Sequence, residues 1–172
     1  MTGGPPAVVR DAVDEDLPLI TELFNALIPS TTIAWRDEPA DEAEMSAWFA
    51  TQQEQGNPVL VAELDDQVVG YTTWAWFRGG ARFPGYRHTR ELTIHVSTDR
   101  HGRGVGRTLL EALVDRARAA DVRVLVAGVD AENEPSIGFH ERLGFVEVAR
   151  MPEVGRKFDR WLDLVLLQRV IV

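Results

Sequence analysis

The feature that most constrains this chain is a glycine-rich loop. It lies between a segment in which polar and apolar residues alternate and a run of apolar residues at helical spacing. The alternating residues Glu91–Val96 precede the loop, glycines stand at positions 102, 104 and 106, and the helical run starts near Val105. Glycine lets the backbone come close to a ligand because it has no side chain. The helix that follows directs its free N–H groups and the positive end of its dipole into the loop. The sequence therefore predicts a strand–loop–helix unit that binds an anion.

Basic residues gather around this loop although the chain as a whole is acidic. They are Arg100, His101, Arg103 and Arg107, in a chain of 172 residues with a formal net charge of −9. A local basic cluster in an acidic chain favours a small anionic ligand, and a pyrophosphate is our hypothesis. The acidic balance argues against nonspecific nucleic-acid binding, which needs a broad basic face.

Length and composition favour a single domain with a substantial core. Hydrophobic residues make up 45% and charged residues 26%, which is ordinary for a globular protein. We expect residues 1–6 to be a disordered tail and residues 7–172 to form one domain.

The chain has no cysteine, which excludes disulfides, thiolate zinc sites and cysteine nucleophiles. We find no signal-peptide pattern and no apolar run long enough to cross a bilayer, so we expect a cytoplasmic location and no membrane partner.

Hydrophobic spacing and capping residues predict the element order β-α-α-β-β-β-α-β-α-β-β. The strands are expected at 7–10, 58–64, 68–77, 86–97, 122–129, 145–150 and 158–169, and the helices at about 14–29, 41–55, 105–120 and 133–144. Consecutive strands indicate an antiparallel half, and the β-α-β unit over residues 86–129 indicates at least one parallel pair. The sequence therefore predicts a mixed α/β fold with helices on both faces of one sheet.

Four blocks of sequence add a resemblance to this order. They are residues 31–35, residues 86–91, residues 133–136 with 140–145, and residues 155–163. Together they resemble the GNAT acyltransferase superfamily, and within it the bacterial phosphinothricin and methionine sulfone/sulfoximine N-acetyltransferases. The resemblance implies a mostly antiparallel sheet of about seven strands with about four helices, splayed at the central parallel pair. It also implies acetyl-CoA as cosubstrate and a homodimer.

Glu91 is the candidate general base. On an extended strand it shares a face with Thr93 and His95 at the mouth of the glycine loop. A partly buried carboxylate there is a better base, because burial raises its pKa. The corresponding glutamate of the resembling branch has this role. The alternative is an exposed strand carboxylate that pairs with Arg87 or Arg90.

The resemblance also implies roles for three residues around the short helix that Asn133 opens. His140 is expected to protonate, or to donate a hydrogen bond to, the leaving thiolate; the alternative is a histidine on the helix surface. Asn133 and Ser136 are first of all a helix N-cap and a first-turn residue. By resemblance they also contact coenzyme A.

Further binding residues follow from the resemblance. The backbone of Ile94, His95 and Val96 is expected to bind the pantetheine arm. The loop residues expected to bind the pyrophosphate are His101, Gly102, Arg103, Gly104, Val105, Gly106 and Arg107. His101 departs from the family pattern, which has glutamine or arginine at that position.

A pocket for the acceptor molecule is expected from aromatic and basic residues. Ile33, Trp35 and Trp76 are candidates for its walls, although aromatic residues at strand spacing more often belong to a core. Arginine forks suit carboxylate or phosphinate-like groups. The candidate polar contacts are Arg78, Arg82, Arg87 and Thr89, and Arg87 matches the resembling branch best.

Other kinds of site fit the sequence less well. Glu91 and His95 share a strand face but lie about 13 Å apart, which is too far for one metal ion. No Gly-Lys-Ser/Thr follows the glycines, so a Walker phosphate loop is excluded.

Our leading hypothesis is an acetyl-CoA-dependent N-acetyltransferase for a small amino-acid-like amine, such as methionine sulfone, methionine sulfoximine or phosphinothricin, with direct attack in a ternary complex. The alternatives are an acetyltransferase for a peptide, protein or antibiotic amine, and a noncatalytic acyl-CoA-binding module.

Overall fold

The computed structural model describes residues 7–172, so the expected tail at residues 1–6 lies outside the described residues. The strands are β1 (Val8–Asp11), β2 (Val59–Leu64), β3 (Gln67–Trp76), β4 (Thr89–Val96), β5 (Val124–Asp130), β6 (Val146–Lys157) and β7 (Arg160–Val170). The α-helices are α1 (Leu17–Asn25), α2 (Glu42–Glu54), α3 (Val105–Ala119) and α4 (Glu134–Arg142). Short 3-10 turns cover Asp14–Asp16, Phe77–Arg82, Pro84–Tyr86 and Thr98–Arg100.

The strands form one seven-stranded sheet in the order β1-β2-β3-β4-β5-β7-β6. β4 and β5 pair in parallel over Thr89–Glu91 and Val124–Val126. The pairs β1 with β2, β2 with β3, β5 with β7, and β6 with β7 are antiparallel. The mixed α/β sheet of seven strands and four helices is thus confirmed, and the splay beside the parallel pair stays a prediction.

The chain packs as two compact units. The first runs to Phe24 and adds Ala40–Trp74 and Thr93–Arg116; the second contains Asn25–Pro39, Ala75–Leu92 and Ala117–Val172. In the first, buried residues of α1, α2, β2 and β3 pack together: Ile20, Ala40, Met45, Phe49, Val59, Val61 and Tyr71. In the second, the buried side chains include Leu125, Phe145, Leu162, Val165 and Leu167. The single domain over residues 7–172 stays a prediction.

Side-chain caps begin two of the helices where the sequence predicts them. The carboxylate of Asp41 accepts a hydrogen bond from the Glu44 N–H at 2.8 Å and so begins α2. The amide oxygen of Asn133 accepts from the Ser136 N–H at 3.2 Å and so begins α4. Each cap satisfies a backbone donor that has no partner inside the helix.

The two hairpins end in turns of the same kind, of which the sequence predicts only one. Asp65 and Asp66 connect β2 to β3 with φ of 55° and 59°, as expected for a two-residue turn. The prediction that one closing strand ends at residue 150 and the next starts at Phe158 is wrong. β6 continues to Lys157, and Phe158 and Asp159 form the turn with φ of 50° and 56°. Phenylalanine disfavours this left-handed conformation, so the sequence gives little indication of a turn at Phe158.

The start of β4 also differs from the prediction. The strand begins at Thr89 rather than at Tyr86. Pro84 opens a 3-10 turn through Tyr86, because its fixed φ suits the first position of a helical turn. Glu91 and the residues up to Val96 remain in the strand.

Gly70 generates a stability prediction for the first unit. A Cβ at Gly70 would lie 2.8 Å from the carbonyl oxygen of His95 and 3.2 Å from Cδ1 of Leu109. Because a backbone oxygen cannot move without bending β4, we expect Gly70→Ala to destabilise the protein by about 1–3 kcal/mol. Urea denaturation measures the change. The matched control is Gly85→Ala, where a Cβ meets nothing within 4 Å, and an equal loss in both variants would contradict the prediction.

Candidate active site

Glu91 lies on β4 beside Gly128, a residue without a side chain in the neighbouring strand β5. Its Oε1 atom is 3.5 Å from the position that a Cβ would take at Gly128, and the same position is 3.4 Å from Cδ1 of Leu164 and 3.9 Å from Cδ2 of Leu166. The side chain keeps contact with solvent. Partial removal of water from the carboxylate nevertheless raises the pKa of Glu91 above its ordinary value. The site therefore holds a carboxylate that is accessible and more basic than an ordinary glutamate.

Gly128 lies beside Glu91 but is not among the site residues predicted from the sequence. Most residues of β5 are buried. Gly128 is exposed in the middle of the strand, so the absent side chain leaves an opening beside Glu91. An isolated glycine in a strand pattern often marks a close backbone approach, and that signal was available from the sequence.

His140 is buried near the end of α4, with 3% of its surface exposed, so the alternative of a helix-surface histidine is wrong. Its Nδ1 atom lies 2.8 Å from the Ser136 carbonyl oxygen, and its ring contacts Phe139 and Phe145 at centroid distances of 5.1 and 5.3 Å. Burial lowers the pKa of His140, although the bond to Ser136 opposes the shift. The ring is therefore neutral at pH 7 with its proton on Nδ1.

This tautomer refines the expected role of His140. Nε2 is buried and, among residues 7–172, has no hydrogen-bond partner. Because Nδ1 donates to a carbonyl oxygen, Nε2 of the neutral ring carries a lone pair and accepts hydrogen bonds. Donation to a thiolate therefore requires that the ring first take up a proton at Nε2.

The glycine loop forms an exposed turn ahead of α3. Gly102 and Gly104 have φ of 76° and 85°, and a Cβ at either would meet nothing within 4 Å. α3 begins at Val105, and the carbonyl oxygen of Gly104 accepts the Thr108 N–H at 3.1 Å. A bare, open backbone before the N-terminus of a long helix fits a phosphate group.

The basic side chains of this loop differ in their exposure and in their partners. Arg103 is exposed on the loop, whereas Arg107 pairs with Glu111 at 3.4 Å. His101 turns back toward β4, with Nε2 3.0 Å from the Val96 carbonyl oxygen. That bond uses an acceptor on the segment expected to bind the pantetheine arm.

His95 occupies an aromatic environment within the first unit. Its ring centroid lies 5.2 Å from that of Tyr71 and 6.1 Å from that of Phe24. Burial lowers the pKa of His95 to about 4, so the ring is neutral at pH 7. Its expected contact with coenzyme A, like those of Ile94 and Val96, involves the backbone and stays a prediction.

Trp76 has two close neighbours, Arg90 and Gly80, and its expected place in the wall of the acceptor pocket stays a prediction. The Arg90 guanidinium lies 3.6 Å from the centroid of the Trp76 ring. A Cβ at Gly80 would come within 2.9 Å of Cβ and Cγ of Trp76. Arg90 is buried and donates to the Arg87 and Thr89 carbonyl oxygens at 2.8 and 3.0 Å. The alternative pairing of Glu91 with Arg90 is not supported, because the two side chains project from opposite faces of β4.

The three arginines expected to bind the acceptor are all exposed. Arg78 has φ of 49° and lies 5.9 Å from the centroid of the Tyr86 ring. Arg82 lies over the ring of Phe83 at 5.8 Å, and Arg87 donates to the Pro84 carbonyl oxygen at 3.3 Å. Their guanidiniums therefore remain accessible to an anionic group.

Ile33 and Trp35 lie on the irregular segment between α1 and α2. Ile33 is 44% exposed, whereas the Trp35 ring lies so close to Gly155 that a Cβ there would come within 2.2 Å of it. Ser30, Thr31, Thr32 and Ile33 line a cavity of about 420 Å³ together with Glu132, Asn133, Pro135, Phe158 and Arg160. The cavity joins one expected acceptor residue, Ile33, to one expected coenzyme residue, Asn133.

The expected site residues divide between the two compact units. The second contains Glu91, His140, Asn133, Ser136 and the acceptor candidates, and the first contains Ile94–Val96 and the loop over residues 101–107. Within residues 7–172 no three metal-ligating side chains gather in one place. None of the helices in that range is long and apolar enough to span a membrane.

Comparison with known proteins decides the family. The Acetyltransferase (GNAT) family matches residues 20–145. The chain belongs to the GNAT acetyltransferase family. The resemblance and the enzyme class predicted from the sequence are thereby confirmed.

Three relatives of this GNAT acetyltransferase are similar over nearly the whole chain. An L-methionine sulfoximine/L-methionine sulfone acetyltransferase of Pseudomonas aeruginosa is 44% identical over 163 residues, 94% of this chain and 93% of its own. An L-amino acid N-acyltransferase of Escherichia coli is 41% identical over 93% of this chain and 91% of its own. The crystal structure of a phosphinothricin acetyltransferase from Sinorhizobium meliloti, in complex with AcCoA, superposes with a TM-score of 0.91 at 34% identity, covering 97% and 89% of the two chains.

His95 generates a prediction about stability and pH. Its pKa is about 4 in the folded protein and about 6.5 when unfolded, so the unfolded chain binds the proton first as the pH falls. The stabilisation that the neutral His95 ring contributes to the folded protein is complete above pH 6.5 and is lost progressively toward pH 4. Between pH 7.5 and pH 5 the free energy of unfolding of the unaltered protein should fall by about 2 kcal/mol more than that of His95→Phe. Urea titrations across this range measure it, with the difference at pH 8 as the baseline, and parallel profiles would contradict it.

Proposed function

We propose that this GNAT acetyltransferase transfers the acetyl group of acetyl-CoA to the primary amine of a small amino-acid-like acceptor. The acceptor is of the methionine sulfone, methionine sulfoximine or phosphinothricin type. The observation that carries the proposal is Glu91, an accessible carboxylate with a raised pKa beside the bare backbone of Gly128. The names of the relatives support the class of acceptor.

The glycine loop supports the donor half of the proposal. Acetyl-CoA supplies an acetyl group activated as a thioester. Gly102 and Gly104 leave space for a pyrophosphate against the backbone, and the first-turn N–H groups of α3 are suited to bind it. Arg103 adds a positive charge that is accessible to the same group.

Glu91 performs the first proton transfer. An amino-acid amine is mostly an ammonium at pH 7, and only the neutral amine attacks a carbonyl carbon. Glu91 takes one proton from the ammonium, directly or through water, and its raised pKa makes it a stronger base. The new C–N bond then forms while the C–S bond breaks.

His140 performs the second transfer. The attacking nitrogen loses one more proton as the amide forms, and the departing sulfur gains one. The lone pair on Nε2 of the neutral His140 ring can take up the first of these protons. The imidazolium then donates it to the sulfur, which balances the transfer and returns the ring to its neutral form.

The exposed arginines support recognition of the anionic part of the acceptor. Arg78, Arg82 and Arg87 lie within one stretch that joins β3 to β4 and keep their guanidiniums accessible. A guanidinium binds carboxylate and phosphinate-like groups with two parallel hydrogen bonds. Ile33 and Trp35 supply apolar surface for the remainder of the acceptor.

A homodimer is also part of the proposal. β6 is an edge strand, and its exposed apolar side chains support association with another sheet edge or face. These side chains are Val146, Val148, Met151 and Val154. The cytoplasmic location expected from the sequence stays a prediction.

Thiol release from acetyl-CoA tests the proposed activity. The acceptors to be compared are methionine sulfone, methionine sulfoximine, phosphinothricin, free amino acids and short peptides with a free N-terminus. We expect release with the first three and little with the peptides, because three arginines are available for a small anionic acceptor. Release with peptides alone would support the peptide alternative. Binding of acetyl-CoA without release on any acceptor would support the noncatalytic module.

Glu91→Gln tests the role of the base. We expect kcat/KM to fall about 100-fold or more, because the amide cannot accept a proton. In the unaltered enzyme kcat/KM should fall on the acid side as Glu91 becomes protonated, at a higher pH than for an ordinary glutamate, because burial raises its pKa. This acid limb should vanish in the variant. The matched control is Glu54→Gln on the exposed face of α2. An unchanged pH profile in Glu91→Gln would remove Glu91 from the reaction.

A further inference from the structure

Lys157 is a buried cation that the reaction described above does not use. It is the last residue of β6, and only 2% of its surface is exposed. Its Nζ atom donates three hydrogen bonds, to the carbonyl oxygens of Ile28 at 2.7 Å, Thr31 at 2.8 Å and Ala34 at 2.7 Å. An ammonium has three donors, so all of them are used by one segment.

The segment that receives these bonds has no regular structure to hold it. It lies between α1 and α2, outside any helix or strand. Backbone carbonyl groups in such a segment need other donors when they are buried. Lys157 supplies donors at three positions spaced three residues apart, which fixes the path of the chain from Ile28 to Ala34.

A second contact holds the same segment against β6. Trp35 lies so close to Gly155 that a Cβ at that position would come within 2.2 Å of its ring. Gly155 and Lys157 are two residues apart, on the same side of β6. One stretch of β6 thus holds the backbone of the segment through Lys157 and its aromatic side chain through Gly155.

Charges and rings near Lys157 are consistent with a structural cation. Burial lowers the pKa of Lys157, and the charge of Asp37 on the same segment opposes that shift. The Phe158 ring lies 4.9 Å from Nζ. The three carbonyl oxygens replace the water that the ammonium would otherwise bind.

We propose that Lys157 is a positioning residue that sets the shape of the acceptor pocket by holding residues 28–35 in place. The inference rests on the proposed function, because Ile33 and Trp35 are the acceptor residues of this segment. Residues 30–33 of the segment also line the 420 Å³ cavity, together with Asn133 and Phe158. Selectivity for the acceptor therefore depends on a lysine that never touches it.

Lys157→Met tests this role, since methionine fills similar space without any donor. We expect the KM for the acceptor to rise about tenfold or more, with the KM for acetyl-CoA within about twofold of the unaltered enzyme. The matched control is Arg123→Met, which removes a cation that donates to the Ile171 carbonyl oxygen at 2.9 Å, away from the segment. It should leave both KM values unchanged. An equal rise of both KM values in Lys157→Met, or no rise, would overturn the proposal.

Hydrogen exchange gives a readout that does not depend on activity. The amides of residues 28–35 should exchange faster in Lys157→Met than in the unaltered protein, and those of α2 should not. If Lys157→Met fails to fold, Gly155→Ala disturbs the same segment through Trp35 and should raise the acceptor KM selectively. Absence of thiol release in the unaltered enzyme would refute the proposed function, while unchanged exchange in residues 28–35 would refute the role of Lys157.

Discussion

Side-chain alternation along β4 is the constraint on which the candidate active site depends. A strand places successive residues on opposite faces, so the exposure of Glu91 is tied to the burial of Arg90 and Leu92. A slip of one residue would bury the carboxylate and expose the guanidinium. The Arg90 guanidinium lies over the Trp76 ring, 3.6 Å from its centroid, and a slip would separate this stacked pair. Structural packing on one face of β4 thereby fixes the chemistry of the other.

Local features of the fold were predictable from the sequence, and features made by distant contacts were not. The caps at Asp41 and Asn133 each involve a residue three positions away, so a short pattern shows them. The turn at Phe158 and Asp159 left no such pattern, because the pairing of β6 with β7 tolerates an unfavourable conformation there. Register irregularities in β6 also break the alternation by which a long strand is recognised.

The same distinction applies to the site. The face of β4 that Glu91 occupies was predictable, because the residues on either side of it in the sequence show the alternation. Lys157 was not, because in a sequence a lysine indicates an exposed position, and its acceptor at Ile28 lies 129 residues away along the chain. The exposed backbone of Gly128 falls between these cases. A glycine inside an apolar strand is a visible signal, but only the structure shows that Glu91 lies beside it.

The number of hydrogen bonds that each group makes distinguishes the role proposed for Lys157 from the role proposed for His140. A buried group whose donors are all used, like the Lys157 ammonium, has no free site for a substrate and acts by holding its partners. A buried atom without a partner costs free energy unless something else binds it. Among residues 7–172 such side-chain atoms are Arg90 Nε, Asp130 Oδ2 and His140 Nε2. Of these, His140 Nε2 is the lone-pair acceptor that the proposed reaction uses to take up a proton and pass it on.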